Sequence, residues 1–325
     1  MIYTNIQFLR GFAAISVVFF HVLITSSHYG YPADYLRVFN GWGRFGVDLF
    51  FVISGFVLTE SIRNKNRSAI VFLYERAVRV IPLYWFVTSI SIAAVVMLPS
   101  QIINTSQEVD FTWLLSSYLF ISQLLGFVTP QVYVGWTLEY EALFYIIVAL
   151  GMIGKNEISF FKLGLILIFA SFFLPLTLEF LFGFLISFLK DKPKFRFQAH
   201  FLYLGCFFLF MSLIFPSLQP SDSFFDQFYR VLVWGVPSAL IVSGVILTKQ
   251  MRSKFFSLLG DSSYSIYLSQ VLVISFYFKV FSYFRFDANT DLVIIGCVFA
   301  TSLSGIFMSR LIEKPLLRYF KNMVQ

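Results

Sequence analysis

Apolar stretches of about 15 to 25 residues recur from one end of this 325-residue chain to the other. They fall near 8–28, 44–62, 80–98, 113–128, 136–153, 160–173, 176–189, 200–216, 231–248, 264–284 and 292–312. As a helix, each spans or nearly spans a hydrocarbon core of roughly 30 Å. A soluble domain could not bury a chain that is 58% hydrophobic and 20% aromatic with only 13% of its residues charged. Strict alternation of apolar and polar residues, the mark of a membrane barrel, is absent. The sequence predicts an all-α, polytopic membrane protein.

The net charge is +7, and its distribution reads as topology rather than as nucleic-acid binding. Basic residues gather in 63–79 (Arg63, Lys65, Arg67, Arg76, Arg79), 190–196 (Lys190, Lys192, Lys194, Arg196), 249–254 (Lys249, Arg252, Lys254) and after 312 (Lys314, Arg318, Lys321). Their counterparts at 99–112, 217–229 and 285–291 carry Glu108, Asp110, Asp222, Asp226, Asp287 and Asp291, with Arg285 as the one basic residue. The positive-inside rule places the basic set in the cytoplasm. An odd number of spans must then separate loop 99–112 from loop 190–196, yet four apolar pieces lie between them. The two short pieces flanking Pro175 are expected to form a re-entrant hairpin or combine. The consistent count is about ten transmembrane helices with both termini cytoplasmic. The first apolar run carries Arg10 and His21 and no small-residue cleavage site, so it reads as a retained first span. Cys206 and Cys297 stand alone in apolar segments and suit packing rather than a metal or redox motif. Nothing divides the chain, and residues 1–325 read as a single transmembrane domain.

Polar residues inside such helices need a reason, because a charge at the centre of a membrane helix costs about 2.5–3.5 kcal/mol. In "LRGFAAISVVFFHV" Arg10 and His21 are eleven residues apart. Helical geometry puts them on nearly one face, roughly 16 Å apart along the axis. With Arg10 near the cytoplasmic entry, His21 falls near the midplane, where an imidazole can accept or donate a proton. Read alone, the pair equally fits an interfacial anchor and a hydrogen bond to a neighbouring helix. "FGVDLFFVISGFVL" places Asp48 and Ser54 in the second span; Asp48 suits either a charge pair with a basic group or the cap of the helix start. "YERAVRVIPLYW" sets Arg76 and Arg79 on one face just inside the cytoplasmic boundary, fit for phosphate or for simple anchoring. "VGWTLEYEALFYII" brings Glu139 and the deeper Glu141, which needs a partner. Glu179 in "LTLEFLFGFL" is a further buried carboxylate, read as pairing across the hairpin. "GDSSYSIYLSQ" clusters hydroxyls, and "LIEKPLLRYF" reads as a helix end stopped near Pro315.

These segments, in this order over residues 5–316, resemble the acyltransferase-3 family of integral membrane acyltransferases, and most nearly its stand-alone exopolysaccharide acetyltransferases of the succinoglycan-modifying kind. The family's arginine–histidine motif falls on Arg10 and His21, its arginine pair on Arg76 and Arg79, and its tryptophan-to-glutamate motif on Trp136 and Glu141. The resemblance implies O-acyl transfer, with acetyl as the group, from cytoplasmic acetyl-CoA to a hydroxyl of a carbohydrate acceptor, free or lipid-linked. It implies His21, Arg10 and Glu141 in catalysis, with His21 as base or acyl carrier. Arg76 and Arg79 would hold the phosphates of coenzyme A, and Asp48, Ser54, Trp136, Tyr140 and Tyr264 would contact substrate or support the site. No metal and no nucleic acid are expected, and the location implied is the bacterial inner membrane. Two departures stand out: Gln270 occupies a position where relatives commonly carry histidine, and the chain leaves no room for a fused extracytoplasmic domain.

A transporter or flippase for a lipid-linked sugar or acyl group would also need intramembrane Arg, His, Asp and Glu, but no inverted repeat or matching pair of broken helices is evident. A scaffold subunit of a polysaccharide synthase would explain the spans but not the placement of Arg10, His21 and the arginine pair. The topology is directly testable. An alkaline phosphatase fused within 99–112 should be active and one fused within 190–196 inactive; the opposite pattern would overturn the orientation.

Overall fold

A computed structural model of the chain describes residues 3–63, 68–97, 110–152, 160–192, 198–220, 224–284 and 288–322. Of the charges used to orient the chain, Lys65, Arg67, Glu108, Lys194, Arg196, Asp222, Arg285 and Asp287 lie outside the described residues. Helix accounts for 84% of the structure, with no strand among the described residues. The helices are α1 (Thr4–His28), α2 (Phe45–Arg63), α3 (Ala69–Met97), α4 (Phe111–Leu119), α5 (Trp136–Met152), α6 (Phe160–Ser171) and α7 (Thr177–Leu189). They continue with α8 (Gln198–Ile214), α9 (Phe224–Arg230), α10 (Val236–Leu247), α11 (Lys254–Asp261), α12 (Ser263–Phe284), α13 (Thr290–Met308) and α14 (Lys314–Asn322).

Among the described residues, seven helical segments are long and apolar enough to cross a membrane: Thr4–His28, Trp42–Arg63, Ala69–Met97, Tyr133–Met152, Asp226–Leu247, Ser263–Phe284 and Thr290–Asn322. The apolar helices Phe160–Ser171, Thr177–Leu189 and His200–Ile214 are shorter. Phe161, Phe169, Phe207, Phe276, Phe299 and Phe307 are all exposed, an outer surface that lipid rather than water suits. The chain is therefore a polytopic α-helical membrane protein.

Two expectations change. The stretch 113–128 supplies only the nine residues of α4, about 14 Å of helix. The Asp110 carboxylate caps its start by accepting from Thr112 N at 3.1 Å, and Phe120, at φ 59°, turns the chain away. Between loops 99–112 and 190–196 this leaves α5 and the two shorter apolar helices beside Pro175, α6 and α7. Those two pack on each other across the turn at 172–176. The helix at "LIEKPLLRYF" also does not stop at Pro315. A π-helical turn over Ser309–Glu313 joins α13 to α14, and Pro315 sits in the first turn of α14, where a missing N–H costs little.

The chain forms two compact units, residues 1–17, 41–73 and 144–261 in the first, and 18–40, 74–143 and 262–325 in the second. In the first unit α2 lies against α7 at backbone contact. A Cβ on Gly55 would sit 2.2 Å from the Phe180 carbonyl oxygen, and one on Gly183 2.1 Å from that of Val52. Only glycine at both positions permits this approach. Phe51 and Phe144 pack on the Phe180 ring at 4.7 and 4.4 Å between centroids. Asn5 ties the chain start to the end of α10. Its amide donates to the carbonyls of Val245 (3.1 Å) and Lys249 (3.2 Å), and its Oδ1 accepts from Met251 N (2.8 Å). Beyond the α7 C-terminus, Lys190 donates to Glu60 Oε2 and Tyr3 Oη, both at 2.9 Å. Burial pulls this ammonium's pKa down, but those two hydrogen bonds outweigh it and leave the value raised.

The charge at the centre of this unit is an ion pair. Arg230 Nε and Nη2 donate to the two oxygens of Asp48 at 2.8 and 2.9 Å, with the side chains 6% and 0% exposed. Asp48 is thus a charge partner rather than a helix cap. The π-helical turn Val231–Gly235 follows Arg230 directly and sets the Trp234 ring 5.4 Å from its guanidinium. Glu179 is fully buried beside Gly235, where a Cβ would meet its Oε1 at 2.8 Å. In place of pairing across the α6–α7 hairpin, its carboxyl group lies near Asp48 and Arg230. Removing one member of a buried pair leaves an uncompensated charge and costs about 3–5 kcal/mol. Arg230→Met should therefore sharply lower the melting temperature of the detergent-solubilised protein, and Arg230→Met with Asp48→Leu should melt above the single variant. A double variant no more stable than the single one would remove the pair from the account.

Candidate active site

The second unit holds most of the residues singled out by sequence. α1 is one unbroken helix, so Arg10 and His21 share it as expected, Arg10 in its first-unit part and His21 in its second-unit part. Arg10 is half-buried, with Nη1 3.4 Å from Gln7 Oε1.

His21 is half-buried, and three elements of the second unit set its surroundings. Its Nδ1 lies 3.1 Å from Gln270 Oε1, on α12. The Tyr133 ring, from the short 3₁₀ turn Tyr133–Gly135 ahead of α5, stands 4.9 Å from the imidazole at 55°. On α1 itself the Phe20 ring meets it edge-on, also at 4.9 Å. Two aromatic rings thus stand against the imidazole, and Gln270 meets it at Nδ1.

α12 is pinned to the start of α5. Tyr267 Oη donates to the Val134 carbonyl at 3.1 Å and lies 2.8 Å from Thr137 Oγ1. One turn earlier, Tyr264 Oη donates to the Val80 carbonyl on α3 at 2.8 Å. Ser265 Oγ donates to Glu313 Oε2 at 2.6 Å, inside the π-helical turn before α14. The hydroxyl cluster of "GDSSYSIYLSQ" is thus what ties α12 to α3, α5 and the helix end at "IEKPL".

Arg76 and Arg79 lie in α3, half-buried and three residues apart, as the spacing predicted. Arg76 Nη2 is 3.9 Å from Glu75 Oε2, at the limit of an ion pair, and Arg79 makes no ion pair among the described residues. Trp136 and Tyr140 meet edge-on at 5.9 Å, one turn apart on α5. Glu141 follows Tyr140, half-buried. Glu139 is structural. Its carboxylate accepts from Ser122 N at 3.0 Å and Gln123 N at 2.9 Å, closing the loop after α4 onto α5. In the first unit Ser54 is half-buried on α2, while Asp48 is committed to Arg230. Among the described residues no three His, Cys, Asp or Glu side chains gather into a metal-ligating group.

Several residues that shape these sites were not singled out by sequence. Arg230 sits one position before the apolar segment 231–248, and in the structure it lies within a continuous helical run from α9 into the π-helical turn. Asp291 looked like a loop charge, but its carboxylate accepts from the backbone nitrogens of Asp34 (3.0 Å) and Tyr35 (2.9 Å), fixing the segment after α1. Tyr133 and Tyr267 carried no signal beyond their place in aromatic-rich motifs.

Comparison with known proteins matches this arrangement to one family. Residues 3–309 match the acyltransferase domain. The exopolysaccharide production protein ExoZ of Rhizobium meliloti (strain 1021) is 29% identical over 304 residues, covering 85% of this chain and 90% of that protein. A putative acetyltransferase, ORF330, of Acidianus two-tailed virus is 27% identical over 284 residues, covering 82% and 81%. No solved structure matches. With the domain matched along nearly its whole length and the apolar helices described above, the chain belongs to the acyltransferase-3 family and is a membrane acyltransferase.

Proposed function

We propose that the protein transfers an acetyl group from cytoplasmic acetyl-CoA to a hydroxyl of an exopolysaccharide or other cell-envelope sugar, with the imidazole of His21 as the reacting base. The observation that carries this reading is the setting of His21: a titratable ring inside an apolar helix, braced by Tyr133 and joined to Gln270. The acetyltransferase and exopolysaccharide names of the two relatives support the donor group and the acceptor class.

The chemistry is balanced within this set of residues. The imidazole takes the proton of the sugar hydroxyl as its oxygen attacks the thioester carbonyl. The carbon–sulfur bond breaks, and the coenzyme A thiolate takes the proton back from the imidazolium. Negative charge grows on the carbonyl oxygen in the transition state, and a cation held near it lowers the barrier; Arg10, about three helical turns from His21, is assigned instead to orienting the donor. Arg76 and Arg79 near the start of α3 fit the phosphates of coenzyme A, because a guanidinium binds phosphate with two parallel hydrogen bonds. Glu141 is assigned to positioning the site from α5. Trp136, Tyr140, Tyr264 and Ser54 are assigned to substrate contact or support, and Asp48 to support through Arg230.

In this reading ten helices cross the bilayer, namely α1, α2, α3, α5, α6, α7, α8, the α9–α10 unit, α12 and α13. Both termini face the cytoplasm, the membrane is the bacterial inner membrane, and the acceptor is either lipid-linked or free.

Purified protein in detergent, given acetyl-CoA labelled in the acetyl group, should release free thiol only when a polysaccharide acceptor is present. His21→Ala should lower this transfer at least about 10²-fold, the usual contribution of a positioned general base, at unchanged expression and melting temperature. Transfer by His21→Ala at the parental rate would sink the assignment of the base, and thiol release independent of acceptor would sink the transferase reading.

A further inference from the structure

His21 has two ring nitrogens, and its neighbour decides which of them can react. Gln270 is fully buried on α12, and its Nε2 donates to the Tyr267 carbonyl oxygen at 2.8 Å. That contact fixes the amide. Turned over, Gln270 would place its own oxygen against the Tyr267 carbonyl, two acceptors in contact with no hydrogen between them. The atom facing His21 Nδ1 at 3.1 Å is therefore Oε1. A carbonyl oxygen has no hydrogen to give, so it can only accept, and Nδ1 must be the donor.

We infer that Gln270 is a positioning residue that locks His21 in the Nδ1–H form, so that Nε2 is the ring nitrogen that gains and loses the reacting proton. In the imidazolium state both nitrogens carry hydrogen and the Gln270 contact is unchanged. The exchanging proton is then the one on Nε2. The same direction serves whether the imidazole acts as base or carries the acyl group, because in both cases Nε2 holds the reacting lone pair.

The lock is rigid for reasons visible in the second unit. Tyr267, whose carbonyl fixes the Gln270 amide, is itself tied through its hydroxyl to Val134 and Thr137 at the start of α5. Tyr133, just before them, packs against the imidazole. One short stretch, 133–137, thus holds both the ring and the residue that orients it. An amide is well suited to this role because, unlike a carboxylate or a second imidazole, it keeps the same hydrogen-bonding pattern through the reaction.

The inference rests on His21 being the reacting group, but its test is separable from that. The chain has three histidines, so protein labelled with nitrogen-15 histidine gives a spectrum in which His21 is assigned by its loss in His21→Gln. The neutral His21 ring should show a protonated, pyrrole-type Nδ1 and an unprotonated, pyridine-type Nε2. Gln270→Glu, protonated on the oxygen that faces the Tyr267 carbonyl, keeps the acceptor for Nδ1 and should preserve that pattern. Gln270→Leu should give a mixture of tautomers and lower kcat at least about tenfold with the KM for acetyl-CoA unchanged, because a wrongly placed proton disables a general base. A parental ring with its proton on Nε2 would overturn the inference, as would a Gln270→Leu protein with unchanged tautomer and unchanged kcat. The parental spectrum and Gln270→Glu decide the matter even where Gln270→Leu fails to fold. Unimpaired transfer by His21→Ala would instead overturn the catalytic reading of His21, and the tautomer would still be decided by the spectra.

Discussion

Hydrocarbon offers no hydrogen bond, and this one constraint organises the molecule. A polar side chain placed in a membrane helix must find its partner in the protein or stay unsatisfied at a high cost. Asp48 is answered by Arg230, which reaches it from 182 residues away in sequence. His21 is answered by Gln270, Tyr267 by Val134 and Thr137, Tyr264 by Val80, and Ser265 by Glu313. The helices are thus held by shape on their apolar sides and told apart by these few polar contacts. Where shape decides, it does so at close range, as at Gly55 and Gly183, where two backbones touch.

The same constraint makes a reaction centre possible. An imidazole in water is one base among many, whereas His21 stands against Tyr133 and Phe20 and meets Gln270 through Nδ1. The reaction proposed for it, acyl transfer from a thioester to a sugar hydroxyl, asks for such a base, a cation to orient the donor and a place for the donor's phosphates. The chain supplies candidates for each within its family motifs, and other charged residues serve the architecture. Glu139 closes a loop, Asp291 holds the segment after α1, and Lys190 joins Glu60 and Tyr3 at the end of α7.

Much of this was legible in the sequence. The membrane class followed from segment length, and the shared helix of Arg10 and His21 from a spacing of eleven residues. Arg76 and Arg79 stand three apart on α3 as their spacing required. Errors came where hydropathy was asked to act as geometry. The segment 113–128 is apolar on average, yet Phe120 turns the chain after nine residues of helix, and an average over residues cannot register one left-handed position. Pro315 looked like a stop, but a π-helical turn just before it carries the helix through. Arg230 was hidden because it lies at the edge of an apolar run, where a cation is ordinarily an anchor.

By itself, then, the sequence determined that the chain is a bundle of membrane helices and which residues are too polar to be there without a reason. These are local properties, set by apolar length, charge and helical period. Only the tertiary structure decided the partners: Arg230 for Asp48, Gln270 for His21, the backbone of residues 34 and 35 for Asp291. A hydrogen bond depends on two groups arriving at one point in the right orientation, and residues 182 and 249 positions apart meet only when the whole chain has packed.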